Sequence, residues 1–367
     1  MTSDPDPATL FEGLDGEARA EREELVRWLL DHHFDVERIA GAISPMLLGA
    51  VKVWGDDGTL VSAQDVAESS GVPVELILRL HHAAGLAYSE DPHNALHPRV
   101  DAEAILPAAS LIGLGIDPAQ VVLVVRLLVE GLTQAAVAMR LTGLKTILSP
   151  GAREVELAQA YEQLAQESKP ITQALILQIA GLTLRHSFET EAITLAERSA
   201  GRLLGTRHIT VAFADVVGFT QLGEELPPEE LGEVVDVLVN ITHDAVTEPV
   251  RFVKTIGDAV MLVSPDPGPL VHAVLGLIDI AAENSLQLRA GIASGAAASR
   301  AGDWYGSPVN VASRITDVAP PGTVWAAEST RTAANETPGI VFSFTATRNF
   351  RGVRDATRLF SVARSAP

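Results

Sequence analysis

The hydrophobic pattern of this chain changes its period near residue 201, and that change constrains the fold more than any other feature. Before this point, apolar residues recur at helical spacing, and after it short strand-like runs alternate with helical segments. Residues 201–206 contain two glycines, which favour a boundary there. We therefore predict an all-helical domain over residues 1–200 and an α+β domain over residues 207–363.

The front half contains four segments with a helical apolar pattern. They cover residues 19–39, 118–139, 154–167 and 172–200. The second starts at Asp117-Pro118, residue types that favour the N-cap and the first position of a helix. Because the fourth runs directly into the back half, we predict that residues 172–200 form a connecting helix.

The back half alternates between strands and helices. Strands are predicted at residues 208–213, 251–255, 259–263, 286–293, 324–327, 340–344 and 358–362, and helices at 227–246, 269–282 and 309–318. Gly257-Asp258 between two strands indicates a hairpin turn. The core order is β-α-β-β-α-β, which is typical of a ferredoxin-like fold.

Composition excludes several classes of protein. The chain has no cysteine, so it has neither disulfides nor thiolate metal sites. Residues 1–200 carry a net charge of −15 and residues 201–367 one of −5, and an acidic front half repels nucleic acid. No signal peptide is recognisable and uncharged runs reach about 15 residues, shorter than a membrane span. We expect a cytoplasmic protein whose apolar surface could at most touch a membrane peripherally.

Two aspartates are candidate metal ligands. Asp215 closes the first predicted strand of the back half, and Asp258 lies 43 residues later on a hairpin tip. Antiparallel pairing would place the two carboxylates side by side, where they could bridge two divalent cations. The backbone amides that follow Asp215, as far as Phe219 and Thr220, could hold phosphates. The alternatives are a helix cap for Asp215 and an ordinary turn residue for Asp258.

Four further polar residues form two candidate pairs. Lys254 lies in an otherwise apolar strand, and Asp303 precedes an aromatic pair, so together they could donate to and accept from the edge of a base. Asn310 and Arg314 are four residues apart on a predicted helix and share one face. Arginine there could stabilise a pentacovalent phosphate. Solvent-facing strand, loop and helix positions are the alternatives.

Two arginines flank Gly352 near the end of the sequence. Either Arg351 or Arg354 could bind phosphates, and a surface role is equally consistent with the pattern. The chain contains no Walker phosphate loop, no clean dinucleotide-binding glycine motif, no nucleophile elbow and no zinc-protease helix.

The back half resembles the catalytic domain of class III nucleotidyl cyclases through residues 213–220 (FADVVGFT), 254–258 (KTIGD) and 306–314 (GSPVNVASR). The resemblance implies a lyase that makes cyclic AMP and pyrophosphate from ATP, with two Mg²⁺ or Mn²⁺ ions per active site bound by Asp215 and Asp258. It implies that Lys254 and Asp303 select adenine, because guanylyl cyclases carry Glu and a small residue or Cys at these positions.

The same resemblance implies that Asn310 and Arg314 stabilise the transition state. It further implies a homodimer with two active sites, each combining the metal half of one subunit with the transition-state half of the other. Ser307-Pro308 and an arginine rather than a lysine near the last strand depart from the commoner vertebrate pattern, which leaves the role of Arg351 open.

The front half is similar to the regulatory domain of actinobacterial soluble adenylyl cyclases, which implies autoinhibition and a response to pH. Seven of the ten histidines precede residue 201, and histidine titrates near physiological pH. The apolar segment around residues 111–128 could enclose a fatty acid or another lipid, or simply form a bundle core.

A competing interpretation comes from residues 61–80. They resemble the helix–turn–helix of a transcription regulator, which would make the protein a DNA-binding sensor with a nucleotide-binding domain. The second helix of this segment carries Glu75 and one arginine, Arg79, within an acidic half. We therefore expect no nucleic-acid partner.

Overall fold

The chain divides into two compact units, Met1–Ala192 and Ile193–Pro367. This division and the contacts below come from a computed structural model that describes residues 10–190, 205–300, 302–335, 337–353 and 355–365. Each unit has its own buried apolar clusters.

The first unit is helical, as predicted. Its helices are α1 (Gly16–Asp31), α2 (Val36–Gly41), α3 (Leu48–Val53), α4 (Ala63–Ser70), α5 (Val74–Ala83), α6 (Arg99–Glu103), α7 (Leu106–Gly113), α8 (Pro118–Ile147) and α9 (Glu154–Thr190). Two short strands, β1 (Leu60–Val61) and β2 (His97–Pro98), pair antiparallel. The sequence pattern did not predict this pair, because two-residue strands leave no measurable alternation.

The predicted helix over residues 19–39 is wrong, because the structure breaks it after Asp31. His33 adopts φ 66°, and the Asp35 side chain accepts a hydrogen bond of 2.7 Å from the backbone N–H of Arg38. Asp35 is thereby the N-cap of a new helix. Apolar residues keep their helical spacing across the break, so hydrophobic periodicity alone did not predict that the helix ends there.

The helices predicted separately at residues 154–167 and 172–200 form one helix, α9, as far as Thr190. Pro170 lies inside it. A proline inside a helix costs about 3 kcal/mol, and α9 offsets this cost by packing against α1, α3 and α8. The remainder of the predicted connecting helix, residues 191–200, lies outside the described residues.

Helix α8 extends eight residues beyond the predicted end at residue 139. Within the described residues it is the one helix long and apolar enough to cross a bilayer, and only 11% of its apolar window is buried. Counting uncharged runs overlooked it, because isolated charges interrupt the apolar stretch. Large exposed apolar faces of this kind mark protein–protein or membrane contacts.

The helix–turn–helix geometry predicted for residues 61–80 is present. Helix α4 ends at Gly71, which adopts φ 73°, and α5 begins at Val74. Glu75, Arg79 and His82 lie on the exposed side of α5. One carboxylate, one guanidinium and one imidazole do not form a strongly basic surface of the kind that binds phosphates.

The second unit has the predicted β-α-β-β-α-β core. Its elements are β3 (Arg207–Val216), α10 (Phe219–Glu225), α11 (Pro228–Ala245), β4 (Arg251–Ile256), β5 (Ala259–Ser264), α12 (Pro267–Glu283), β6 (Leu288–Arg300), β7 (Asp303–Gly306), α13 (Ser307–Val318), β8 (Val324–Ala327), α14 (Glu328–Ala333), β9 (Ile340–Arg348) and β10 (Thr357–Arg364). The strand order is β4-β5-β3-β6-β8-β10-β9, with β7 paired to β6. The pairing of β6 with β8 is parallel and the others are antiparallel.

Both faces of this sheet are buried along its central strands. Alternate residues of β3 point to opposite sides, as period-two geometry requires. Ala212 and Ala214 belong to the cluster formed with α11 and α12, whereas Val211 and Phe213 belong to the cluster formed with α13. We call these the two-helix face and the α13 face.

Helix α13 lies directly on strand β6 because of Gly291. A Cβ atom at this position would lie 2.4 Å from the Ala312 carbonyl oxygen and 2.4 Å from the Thr316 nitrogen. Glycine therefore lets the helix backbone contact the strand, which fixes the height of α13 above the sheet.

Candidate active site

Asp215 and Asp258 are brought together by the pairing of β3 with β5. Asp215 lies opposite Ala259, the residue after Asp258, and the Val216 N–H donates to the Asp258 carbonyl oxygen at 3.1 Å. Ile256 pairs with Ala259, so Gly257 and Asp258 form a two-residue turn in which Gly257 adopts φ 62°. The hairpin thus presents Asp258 beside the end of β3.

The electrostatics of this pair suit a divalent cation. Burial raises the pKa of the Asp258 carboxyl, the neighbouring Asp215 charge raises it further, and Arg289 opposes the shift. Two carboxylates at one point attract a hard cation that prefers oxygen ligands. No cluster of three or more His, Asp or Glu occurs among the described residues. Two carboxylates suffice for Mg²⁺ when waters and substrate phosphates supply the remaining ligands, so the residues fit the ion.

Arg289 contacts the candidate site, and the sequence analysis missed it. Its Nε and Nη2 atoms donate to Asp215 Oδ2 at 3.0 and 2.8 Å, and its Nη1 atom donates to the Asp317 carbonyl oxygen at 2.9 Å. Arg289 lies opposite Asp215 in the β3–β6 register. The sequence feature that could have pointed to Arg289 is its position as the one charged residue in the apolar strand predicted at residues 286–293.

Lys254 and Asp303 form an ion pair between β4 and β7, with side chains 39% and 27% exposed. The other carboxylate oxygen, Asp303 Oδ1, accepts the Trp304 N–H at 2.8 Å. Burial raises the pKa of the Asp303 carboxyl, but the hydrogen bonds from Lys254 and Trp304 outweigh that effect and leave the pKa below its ordinary value. Asp303 is therefore ionised at neutral pH, and Lys254 keeps protons free to donate.

A β-bulge at Val253 allows Lys254 to take part in this pair. Phe252 lies opposite Leu262, and Lys254 lies opposite Met261. Leu262 belongs to the two-helix face and Met261 to the α13 face. Residues two apart in a regular strand share a face, so the bulge is what sends Phe252 and Lys254 to opposite sides.

Asn310 and Arg314 lie together on the exposed side of α13. The helix buries Val311, Ala312 and Ile315 against the sheet, which leaves positions 310 and 314 to the solvent. Arg314 contacts Asp317 at 3.4 Å, with both side chains about half exposed. A guanidinium with so weak a partner is available to an anion.

The remaining predicted substrate-binding residues are placed less favourably. The ring of Phe219 packs half-buried against the two-helix face, so only its backbone amide is free for a ligand, and Thr220 is exposed on α10. Arg351 is exposed in the loop between β9 and β10. Arg354, the alternative to Arg351, lies outside the described residues.

Comparison with known proteins matches both halves of the chain. Residues 3–188 match the family described as adenylate cyclase regulatory domain, and residues 205–362 match the adenylate and guanylate cyclase catalytic domain. These matches confirm the resemblance drawn from the sequence motifs.

Individual relatives are similar over different lengths. The chain is 48% identical to "pH-sensitive adenylate cyclase MT1302" of Mycobacterium tuberculosis, over 97% of this chain and 91% of that protein. It is 40% identical to an adenylate cyclase of Streptomyces coelicolor, over 33% of this chain and 35% of that protein. The crystal structure of the adenylyl cyclase CyaB from P. aeruginosa aligns with 44% of this chain and 96% of its own, at 21% identity and a TM-score of 0.39.

Proposed function

The chain belongs to the family of adenylate cyclases in which a regulatory domain precedes a cyclase catalytic domain, and we propose that its homodimer converts ATP to 3′,5′-cyclic AMP and pyrophosphate. One observation carries this proposal. The same unit holds a carboxylate pair suited to divalent cations, Asp215 and Asp258, and an ion pair suited to reading adenine, Lys254 and Asp303.

In the proposed reaction the ribose 3′-oxygen forms a bond to the α-phosphorus as the bond to pyrophosphate breaks, and the hydroxyl proton is released. Two Mg²⁺ or Mn²⁺ ions held by Asp215 and Asp258 would supply positive charge that favours ionisation of the 3′-hydroxyl and stabilises the leaving pyrophosphate. Arg289 already neutralises Asp215 in the present structure. A guanidinium at that position is also within reach of a phosphate bound beside the aspartates.

Asn310 and Arg314 provide the second half of the site. We propose that Asn310 fixes the ribose and that Arg314 stabilises the charge developing on the equatorial phosphate oxygens. Both act by positioning and charge, so the reaction needs no side-chain nucleophile. Phe219 and Thr220 would contribute backbone amides to the phosphates, and Arg351 would approach them from the β9–β10 loop.

Two subunits are proposed because the family places the metal half and the transition-state half of each site on different subunits. The front unit offers a surface for such a dimer. Helices α8 and α9 expose apolar side chains that a monomer would leave in water, among them Leu128 (55%), Leu177 (72%) and Phe188 (78%). Large exposed apolar patches of this kind are typical of protein–protein interfaces.

Adenine selection follows from the charges of the base-reading pair. Lys254 can donate to a ring nitrogen of adenine, and the Asp303 carboxylate can accept its exocyclic amine. Guanine places a carbonyl oxygen where adenine has that amine, so the ionised Asp303 would repel it. The pair therefore favours ATP over GTP.

The base-reading pair gives a prediction of altered selectivity. In the double variant Lys254→Glu, Asp303→Ser, the ratio of kcat/KM for ATP to that for GTP is expected to fall by about 10²-fold, because two charge-assisted hydrogen bonds to adenine are lost. The measurement is cyclic nucleotide formation from each triphosphate. Arg348→Glu, Asp355→Ser makes the same charge changes at exposed positions and should keep the wild-type ratio. An unchanged ratio in the first variant would remove Lys254 and Asp303 from base recognition.

The proposed activity itself is tested with the purified full-length protein. We expect formation of cyclic AMP from ATP that depends on Mn²⁺ or Mg²⁺ and stops on addition of EDTA. A preparation that is folded and dimeric yet forms no cyclic AMP over a range of pH would contradict the proposal. Higher activity in a chain that starts at residue 205 would support autoinhibition by the front unit.

We also propose that the front unit makes the enzyme respond to pH. The relative from M. tuberculosis is named as pH-sensitive, and the family match to the regulatory domain covers residues 3–188. Within the described part of the front unit lie the buried histidines His81 and His97. We further propose a cytoplasmic protein whose contact with a membrane is at most peripheral.

A lipid ligand of the front unit remains part of the proposal, at a place the sequence analysis did not identify. A cavity of about 700 Å³ lies between α8 and α9, with Leu132, Met139, Leu164 and Ile176 in its wall and Arg140 among its lining residues. An alkyl chain with a carboxylate head fits this combination of apolar wall and single cation. Trp54 also lines the cavity, so its fluorescence would report binding of a fatty acid.

A further inference from the structure

Two histidines of the front unit are buried against each other. His81 on α5 is 3% exposed and His97 on β2 is 8% exposed. Their ring centroids lie 5.3 Å apart in an edge-to-face arrangement, and His81 Nε2 lies 2.9 Å from the Ala102 carbonyl oxygen. Because a carbonyl oxygen only accepts, Nε2 carries the proton of that hydrogen bond. The pair connects α5 with β2 and α6.

The charged groups around the pair are few. From α5 itself, the exposed His82 adjoins His81, and from the loop that follows, Asp91 lines with both buried histidines a cavity of about 20 Å³, room for one water molecule. Helix α6 contributes Asp101. Burial and the charge of Asp56 raise the pKa of this carboxyl above its ordinary value, and His97 only partly opposes the shift.

Apart from Asp101, which attracts His97 electrostatically, the neighbours do not neutralise a charge on the pair. Asp56 is already paired with Arg38 at 2.6 Å. Helix α8 presents Val121 and Val125 to the cluster in which α4 and α5 pack. Within the part of the chain that the structure describes, neither His81 nor His97 makes a hydrogen bond or ion pair with a carboxylate.

A proton on His81 is therefore unfavourable. Burial lowers the pKa of His81, the hydrogen bond to Ala102 partly opposes that effect, and the proximity of His97 lowers the pKa further. Two imidazolium rings 5.3 Å apart would repel each other in a site without water enough to screen them.

We propose that the His81–His97 pair is a proton-sensing element of the regulatory unit, closely packed while His81 is neutral and forced apart when His81 takes up a proton under mildly acidic conditions. This inference deepens the proposed pH response of the enzyme and rests on it. Separation of the rings breaks the contact between α5 and the β2–α6 segment.

The direction of the effect follows from linkage. A histidine whose pKa is lower in the folded state binds fewer protons than it does when unfolded, so acid favours the opened state. The stabilising contribution is complete above the ordinary histidine pKa of about 6.5 and is lost as the pH falls from there through the lower folded value. The expected response therefore lies in the mildly acidic range.

A continuous path of packing carries the change within the front unit. Helix α5 packs against α8, and α8 packs against α9. Helix α9 is the last described helix before the catalytic unit in the sequence. Loosening of α5 is thus able to alter the support of the element that leads toward the active-site half of the chain.

The test uses the full-length protein with His97→Phe, which keeps an aromatic ring of similar size and removes the second positive charge that could repel a protonated His81. Exchange of amide hydrogens for deuterium, corrected for its intrinsic pH dependence, is measured for peptides within residues 61–103 at about pH 5.5 and 7.5. The wild type is expected to lose protection there at the lower pH, and His97→Phe is expected to keep more of it, because the repulsion between the two rings is removed. The change in cyclase activity between these pH values should shrink at least about twofold in the variant.

His82→Phe is the matched control, since it removes an exposed imidazole next to the pair. It should behave as the wild type in both measurements. His81→Gln is the second test variant. It can still donate to Ala102 but lacks the imidazole whose pKa burial lowers, so it should keep its protection at both pH values.

The outcomes separate the two proposals. Equal loss of protection in the wild type and both test variants overturns the sensing role of the pair, whatever the activity does. A wild type whose activity is independent of pH contradicts the proposed pH response, while the exchange measurement still decides whether the pair senses protons.

Discussion

Replacing Asp258 with asparagine is expected to lower the rate of cyclic AMP formation at saturating ATP and Mn²⁺ by about 10³-fold, or about 4 kcal/mol of transition-state stabilisation. The asparagine side chain keeps the size of the carboxylate but loses the charge that holds the cation beside Asp215. The measurement is initial rate against metal concentration, and excess Mn²⁺ should restore only part of the activity.

The thermal stability of Asp258→Asn shows whether its loss of activity comes from the missing metal ligand or from a disturbed fold. Because the pKa of Asp258 is raised, ionisation of this carboxyl disfavours the metal-free fold as the pH rises through that pKa. At neutral pH, Asp258→Asn should therefore leave the thermal midpoint of the metal-free protein unchanged or higher, and should abolish the additional stabilisation by Mn²⁺. Asp244→Asn, an exposed carboxylate of the same unit, is the matched control and should retain activity. A large fall in the midpoint of Asp258→Asn would show instead that the residue is structural.

Mixing two inactive variants, Asp258→Ala and Arg314→Ala, is expected to restore activity. Each heterodimer combines the intact metal half of one subunit with the intact transition-state half of the other, so one of its two sites is complete. With random assortment half of the dimers are mixed, and the mixture should reach about a quarter of the wild-type activity per subunit. Each variant alone should remain lower by about 10²- to 10³-fold.

Two different affinity tags allow the mixed dimers to be purified before assay, where about half of the wild-type activity is expected. The matched control mixes Asp258→Ala with Asp215→Ala, both in the metal half, and should gain nothing because neither site is complete. Recovery in the control, or none in verified Asp258→Ala with Arg314→Ala heterodimers, would exclude active sites shared between subunits.

The sequence predicted most polar groups of the candidate site because chemistry restricts where such groups can occur. Asp258 is found from its turn and Asp215 from its position at the end of an apolar strand. Arg289 was not found, since its partner Asp215 lies 74 residues away and the contact depends on the β3–β6 register. A single cationic residue in a strand does not reveal its partner until the pairing register of that strand is known.

The front half was predicted at a coarser level. Periodicity indicated helices, but capping by Asp35 broke one of them, and packing carried another through Pro170. The number of histidines pointed toward pH sensing without indicating residues. Only the fold brings His81 and His97 into contact and buries them from solvent.

By itself the sequence determined the two-part architecture, the order of the core strands and the residue types that the candidate site requires. These features follow from local periodicity and from functional groups with few substitutes. Only the tertiary structure decided which side of the sheet each group faces. Phe252 and Lys254, two positions apart, lie on opposite faces because one extra residue, Val253, bulges from the pairing with β5. Such a bulge leaves no mark on the hydrophobic pattern of the sequence, because it is defined only by how the residues of one strand pair with those of the next.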